Sequence, residues 1–241
     1  MPDIRIIKHT LEIRLKVKNF SFLDFKGQLT DAIFSRNNTF TKIKMSDSRV
    51  DIANENLTEF IFFSTDNFGM QIDGSQNFGE FKNKTEKLFK TIKQIEKYPI
   101  RDLIRVGTKS SILNFNSADN LNNLKKIFRD KMFKNYESFE MKTGAKLVDF
   151  GFSFNDCSHG NNGKFNILMG PVTKEEAINK FFGKKPVYAE NFTKDCGTYC
   201  EIDFYQNSGL DIDLQELENL CKDNIDSIEH IHQGFLKYLY E

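Results

Sequence analysis

The sequence predicts an α+β protein in which helices pack on an antiparallel or mixed sheet system. Residues 4–18 alternate apolar and charged side chains, as in a strand with one buried face. Residues 78–97 instead repeat apolar side chains every three or four positions, as in an amphipathic helix. Between residues 41 and 72, strand patterns follow one another without a helix. The order is therefore not a strict alternation of strand and helix.

The elements before residue 78 begin with the strand at 4–18. Ser21 offers an N-cap, and the apolar stripe after it predicts a helix to Phe34, which Asn37 and Asn38 end. A turn at Asp73 and Gly74 ends the last of four short strands, which are predicted near 41–45, 48–53, 58–64 and 68–72.

The lysine-rich helix at 78–97 has the clearest helical pattern of the first half. Lysines fill its surface, and Pro99 closes it because proline cannot continue a helix. Its predicted buried stripe consists of Phe81, Thr85, Leu88, Ile92 and Ile95.

The stretch from Asp102 to Phe115 has the pattern of a buried strand and lies near the middle of the sequence. Gly107 interrupts it where the backbone passes close to another group or bends. Arg105 and Lys109 are four residues apart, so they project to the same face as Gly107. This cationic strip is either a solvated or salt-bridged face or a contact for an anion or a partner.

The second half repeats the theme loosely. Asp213 and Glu216 have capping-box spacing at the head of a final helix, which runs to Leu239. Gly170 and Pro171 are expected to end the second of three strands. The elements before the final helix are predicted as a helix at 121–128, a strand at 146–155, a hairpin loop at 157–163, a strand at 165–169, a short helix at 174–182 and a strand at 198–205.

These patterns suggest two similar α+β halves packed into one sheet system. The halves would span residues 1–118 and 119–241, or both would belong to one continuous domain. A chain of 241 residues is long enough for either arrangement.

Composition indicates an ordinary soluble protein, with 39% hydrophobic and 28% charged residues. The 25 phenylalanines and the lack of tryptophan predict a core of aromatic packing. No stretch of about 18 apolar residues is present and the N-terminus lacks a signal-peptide pattern, so we expect a cytoplasmic protein without a membrane span. The four cysteines are expected to be thiols.

Charge is unevenly distributed, although the formal net charge is zero. Residues 82–142 hold 15 Lys and Arg against 7 Asp and Glu, whereas residues 195–241 hold 2 against 11. The basic middle region is therefore expected to make any contact with an anion or partner. The residues predicted for this contact are Arg105, Lys109, Lys87 and Lys90.

The expected partner is another protein or a second copy of the chain. A pI of about 6.9 argues against a dedicated nucleic-acid binder, but the basic middle region keeps nucleic acid open as a partner. The acidic face of the final helix is expected to dock on a lysine-rich surface such as the helix at 78–97. That surface would belong to the same chain, a second copy or a partner.

Six of the eight Cys and His residues form three close pairs in the second half. The pairs are Cys157 with His159, Cys196 with Cys200, and His230 with His232. Paired ligands are typical of zinc sites, but these spacings match no standard finger, and the two histidines on the final helix point about 200° apart. Buried thiols and core histidines are the competing interpretation, and we expect no metal or other cofactor.

No catalytic motif is present. Asp73, Glu80 and Lys82 would suit a magnesium-dependent nuclease, yet an acidic residue at the start of a helix is expected for its dipole alone. The chain has no nucleophile-elbow motif, phosphate loop or dinucleotide fingerprint. We expect no catalytic residues.

Several short segments resemble a known family. Residues 102–107, read as Asp-Leu-Ile-Arg-Val-Gly, are similar to the Arg-Ile-Gly strand of a family of uncharacterised, sporadically distributed bacterial proteins. Residues 62–66, 200–205 and 231–235 resemble that family's Ser-x-Asp strand end, its late Asp-containing strand and its closing helix. The family strand continues with arginine and tyrosine, where this chain has Thr108, Lys109 and Ser110.

The expected function is that of a non-catalytic bacterial binding, adaptor or assembly protein. The patchy distribution of the similar family adds the expectation of an accessory role in an anti-phage defence or mobile-element system. The alternative is a metal-dependent hydrolase or nuclease.

Overall fold

The computed structural model describes most of the chain. The described ranges are 4–16, 18–36, 39–95, 102–115, 120–133, 135–144, 151–159, 163–181, 194–210 and 212–241.

The described strands form one sheet. They are β1 Ile4–Leu15, β2 Phe40–Met45, β3 Arg49–Asn54, β4 Glu59–Ser64, β5 Asn67–Ser75, β6 Leu103–Phe115, β7 Phe152–His159, β8 Gly163–Thr173 and β9 Cys196–Leu210. All neighbours pair antiparallel, in the order β2-β3-β4-β5-β1-β6-β9-β8-β7. The predicted α+β class is confirmed.

Helices complete the fold. They are α1 Phe22–Arg36, α2 Phe78–Ile92, α3 Leu121–Met132, α4 Tyr136–Thr143, α5 Lys174–Glu176 with a π-helical turn at Ala177–Phe181, and α6 Leu214–Tyr240. No helix of the described ranges is long and apolar enough to span a membrane.

The element order strand, helix, strands, helix occurs twice. It runs from β1 through α1 to β5 and α2, and starts again from β6 through α3 to β9 and α6. β1 and β6 join the two series by pairing along their whole length, from Ile4 opposite Phe115 to Leu15 opposite Leu103. β6 also pairs with β9, so strands of both predicted halves belong to one continuous sheet.

Helices α1, α2, α3 and α6 cover one face of the sheet, which we call the inner face. The main core lies there and is rich in phenylalanine, because a broad sheet offers room for flat rings. Its largest fully buried rings are Phe22, Phe63, Phe68, Phe78, Phe81, Phe89 and Phe128. Alternate strand residues point to the opposite, outer face, where the α5 segment covers a smaller cluster around Leu113 and Tyr199.

Helix α2 buries Phe81, Thr85, Leu88 and Ile92 of the predicted stripe. It ends at Ile92 and not near residue 97, so the buried Ile95 follows the helix. Residues 96–100, which include Pro99, lie outside the described ranges. Asn77 caps its N-terminus by accepting a hydrogen bond from the Glu80 backbone.

Helix α6 docks on α2 of the same chain, as one of the three predicted alternatives requires. The predicted capping box is present, because Asp213 and Glu216 exchange side-chain and backbone hydrogen bonds. Lys93 Nζ lies 2.7 Å from Glu218 Oε2, and Lys82 contacts Asp226. The acidic face of α6 is thus partly neutralised within the fold.

Two glycine-containing dipeptides that were predicted to end strands lie inside strands instead. Pro171 belongs to β8, which continues to Thr173. β7 pairs with β8 only as far as Met169, so the proline lies beyond the end of β7, at the margin of the sheet, where a missing N–H is tolerated. Asp73 and Gly74 belong to β5, where the pairing with β1 shifts register and Gly74 has φ 80°. A bulge, not a turn, uses this glycine.

Two elements of the second half also differ from prediction. The strand predicted at 146–155 is observed from Phe152 to His159, so Cys157 and His159 lie in β7 and not in a loop. Residues 145–150 lie outside the described ranges. Helix α4 was not predicted, because it buries no residue and so has no apolar stripe in the sequence.

Candidate functional site

The lysines of α2 divide between two neighbours. Lys82 and Lys93 point to α6 and are paired with its acidic side chains. Lys84, Lys87 and Lys90 lie on the side of α1. The two lysines predicted for an anion contact therefore remain where α6 does not neutralise them.

A cavity of about 300 Å³ lies between α1, α2 and the inner face of the sheet. We call it the basic cavity. Apolar side chains form its floor: Ile33, Phe40, Ile61, Met70 and Leu88. Cations form its rim: Arg36, Lys84, Lys87 and Lys90. Small-molecule sites in proteins typically enclose about 300–1,000 Å³ and combine an apolar lining with a few polar groups.

The cavity exists because α1 and α3 pack differently. α3 lies over β8 and β9, and Phe128 fills the space there, with ring centroids 6.4 Å from Phe152 and 6.1 Å from Phe235. α1 lies against α2 and β3 instead, and the cavity lies between α1, α2 and side chains of β2, β4 and β5.

Two of the four rim cations already have partners. Lys84 contacts Glu59, and its Nζ lies 3.2 Å from Glu80 Oε1. Lys90 Nζ lies 2.8 Å from Glu86 Oε1. The hydrogen bond from Lys90 lowers the pKa of Glu86, with its positive charge and that of Lys222 acting the same way.

Arg36 and Lys87 differ from the other two rim cations. Neither has an ion pair with any residue of the described ranges, and both side chains are exposed. Uncompensated charges attract counter-ions more strongly than paired ones. The rim therefore offers two positive charges to an anion.

Arg105 and Lys109 lie elsewhere, on the outer face. Arg105 Nη2 donates to both carboxylate oxygens of Asp203, at 2.9 and 2.8 Å, and the guanidinium lies 4.6 Å from the centre of the Tyr205 ring. Lys109 Nζ lies 2.6 Å from Glu201 Oε1. The sheet separates this pair from Lys87 and Lys90, so the four predicted residues form two groups. Anion binding at Arg105 and Lys109 stays a prediction.

Gly107 provides space for Arg105. A Cβ atom at Gly107 would lie 3.1 Å from Arg105 Nε, because the arginine side chain crosses the glycine on its way to Asp203. The close approach expected at this glycine is therefore to a side chain of its own strand.

Glu201 forms the centre of a second polar group on the outer face. Burial would raise its pKa, but hydrogen bonds from Lys109, Tyr199 and Ser111 outweigh burial and lower the pKa. Glu201 is therefore held as a carboxylate, and its partners are held in place around it. Arg105, Lys109, Glu201 and Asp203 are therefore paired with one another on the outer face.

The Cys and His side chains that the structure describes are not gathered into a metal site. Within the described ranges, no three His, Cys, Asp or Glu side chains lie close enough together to hold a metal ion. Burial raises the pKa of the Cys200 and Cys221 thiols, which lie in the core. His232 is also buried, with Nε2 2.9 Å from Asn114 Nδ2. The side chain of His159 lies outside the described residues.

Sequence reasoning missed part of the site. The sequence patterns do not indicate Arg36 or Lys84 as site residues, and they do not show that the residues of the apolar floor lie together. The α2 stripe predicted that Leu88 points inward, but only the placement of α1 shows that Ile33 and Ile61 share a cavity with it.

No protein-family model matches this chain, and no curated protein matches it. The geometry of the described residues is therefore the basis for assigning a function.

Proposed function

We propose that this chain is a binding protein without catalysis of its own, and that it takes an anionic partner at the rim of the basic cavity. The observation that carries the proposal is that Arg36 and Lys87, which have no ion pair with any described residue, lie beside an apolar floor. A charge next to a low-dielectric surface interacts more strongly with its partner than the same charge in open water.

The rim suits an incoming anion better than the outer face does. Arg105 and Lys109 already meet Asp203 and Glu201, so an anion would have to displace a carboxylate from each. Arg36 needs no such exchange with any described residue. An anion should therefore bind more favourably at the rim than at Arg105 and Lys109 on the outer face.

The lining supports binding more than chemistry. Glu59, the one carboxylate among the described lining residues, is paired with Lys84, and the Thr91 hydroxyl donates to the backbone oxygen of Lys87. No nucleophile and base form a hydrogen-bonded pair among the lining residues that the structure describes.

An adaptor or assembly role follows if the bound anion belongs to a partner protein or controls one. The resemblance to a patchily distributed bacterial family adds the proposal of an accessory role in a defence or mobile-element system. In both roles, Arg36 and Lys87 would bind the anion.

Isothermal titration calorimetry tests the proposal with three anions: decanoate, a poly-glutamate peptide and single-stranded RNA. We expect at least one to bind, and binding to weaken as salt rises because the contact is ionic. The double variant Arg36→Gln, Lys87→Gln should bind at least about tenfold more weakly, since hydrogen bonds to charged groups contribute about 1.5–3 kcal/mol each.

Lys126→Gln is the matched control, because Lys126 is an exposed lysine on α3, the helix that corresponds to α1. It should bind like the wild type. Binding of none of the three anions, or equal binding by the double variant and the control, would overturn the proposal.

A further inference from the structure

The floor of the basic cavity restricts what its rim can bind. A small hydrated anion at Arg36 and Lys87 would leave the cavity of about 300 Å³ over the largely buried apolar floor to water. A ligand that carries an apolar tail would cover that floor, and burial of apolar surface is the main favourable term in such binding. The site therefore favours a ligand that has both an anionic group and an apolar tail.

Building on the proposed function, we propose that the ligand is an amphiphile with one anionic group and an apolar tail of about ten heavy atoms. The anionic group would lie between Arg36 and Lys87, and the tail would lie over Ile33, Ile61 and Leu88. Medium-chain carboxylates and alkyl phosphates share this chemistry.

The size of the tail follows from the volume. The cavity encloses about 300 Å³, and a heavy atom with its hydrogens takes about 30 Å³ in a liquid, judged from water. Roughly ten such atoms therefore fill the space. Longer tails would extend into solvent and gain little.

The limit of one anionic group follows from the charges. Glu59 lies beside Lys84, and Glu86 beside Lys90, so each of these cations already faces a carboxylate. A second anionic group on the ligand would meet like charge there. The rim thus favours a single anion over a polyanion such as a nucleic acid.

A chain-length series tests the inference. Acetate, hexanoate, decanoate and tetradecanoate would be titrated in monomeric form, with decanol as the uncharged counterpart. Each methylene that enters the cavity should tighten binding about fourfold, which corresponds to about 0.8 kcal/mol per buried methylene. The gain should level off near ten carbons, and decanol should bind more weakly than decanoate.

Filling the cavity tests the same inference from the side of the protein. Ile33→Phe should weaken decanoate binding about tenfold or more and hexanoate binding less, because the new ring takes part of the volume that a long tail would fill. Thr91→Leu is the second filling variant and is used if Ile33→Phe melts well below the wild type. Lys126→Gln again serves as control.

The outcomes separate the two proposals. Binding that depends on Arg36 and Lys87 but not on chain length would overturn the amphiphile and leave the anion-binding function standing. RNA or poly-glutamate binding more tightly than decanoate would do the same. Binding that ignores Arg36 and Lys87 would remove both.

Discussion

Gly69 shows how strongly a single residue position is constrained by the sheet. A Cβ atom there would lie 1.9 Å from the backbone oxygen of Leu11 on β1 and 2.8 Å from the Phe62 ring. No side chain fits unless the backbone moves, because a carbonyl oxygen in the sheet cannot rotate away.

We therefore predict that Gly69→Ala lowers the free energy of unfolding by about 2–4 kcal/mol, as overpacking and strain do in other cores. Gly234→Ala on α6 is the matched control. Nothing lies within 4 Å of its added Cβ, and alanine stabilises a helix interior by about 1 kcal/mol over glycine. Urea unfolding of both variants measures the contrast, and equal stabilities would contradict it.

His9 is a second constrained residue, with a consequence for pH. It is fully buried, stacked 4.5 Å from the Phe81 ring, with Nδ1 2.8 Å from Ser110 Oγ. Burial lowers its pKa from 6.5 to about 3, although a hydrogen bond with the Asn77 backbone opposes the change. The folded state therefore keeps His9 neutral where the unfolded state becomes protonated.

Stability should fall as pH drops below the unfolded pKa of 6.5 and continue to fall until about 3, the folded pKa. The contribution of His9 is up to about 1.4 kcal/mol per pH unit in this window. His9→Gln should remove it, so urea unfolding at pH 7 and pH 5 should show a smaller loss for the variant than for the wild type. Parallel losses would mean that His9 is protonated in the folded protein.

At the scale of elements, the sequence predicted the helices and strands that have a regular hydrophobic period. The stripes of α2 and α6 and the alternation of β1 are long and regular, so type and buried face both follow from sequence. Helix α4 was not predicted because it buries no residue and so has no apolar stripe. Pro171 was wrongly predicted to end β8, because a proline is tolerated within that strand only where β7 no longer pairs with it. A local sequence pattern does not show where a neighbouring strand ends.

Helix α2 gives the simplest energetic test of an element. Ile92 is fully buried in the core, so Ile92→Ala removes buried methyl groups and leaves a cavity. We expect the free energy of unfolding to fall by about 2–4 kcal/mol. An unchanged thermal melt would mean that α2 does not pack as described.

Helix α6 tests how far one element supports the rest. It covers α2 and the central strands and buries Leu217, Cys221, Ile225 and Ile228. Removal of residues 214–241 would expose these apolar surfaces of the core, so the truncated chain should be insoluble or molten by near-UV circular dichroism and light scattering. A soluble, cooperatively folded product would contradict the intramolecular docking of α6 on α2.

At the scale of the whole molecule, the strand order and the site depend on contacts between distant segments. Alternation in β1 could not show that β6 would pair with it, or that β2 and β7 would lie at the two edges. Likewise, the sequence indicated Lys87 and Lys90 through their charge, but Arg36 lies more than 50 positions away and joins them only through the packing of α1. The sequence shows which residues are charged, but it does not show which of them line the same cavity after folding.

The most direct test of the basic cavity as the binding site is methyl NMR of the full chain with added decanoate. We predict that the methyl signals of Ile33, Ile61 and Leu88 shift with increasing decanoate and saturate together, because the tail would lie against them. Signals of Leu113 and Leu168, on the outer face, should stay in place. Shifts confined to the outer-face signals, or no saturable shift at Ile33, Ile61 and Leu88, would contradict the account.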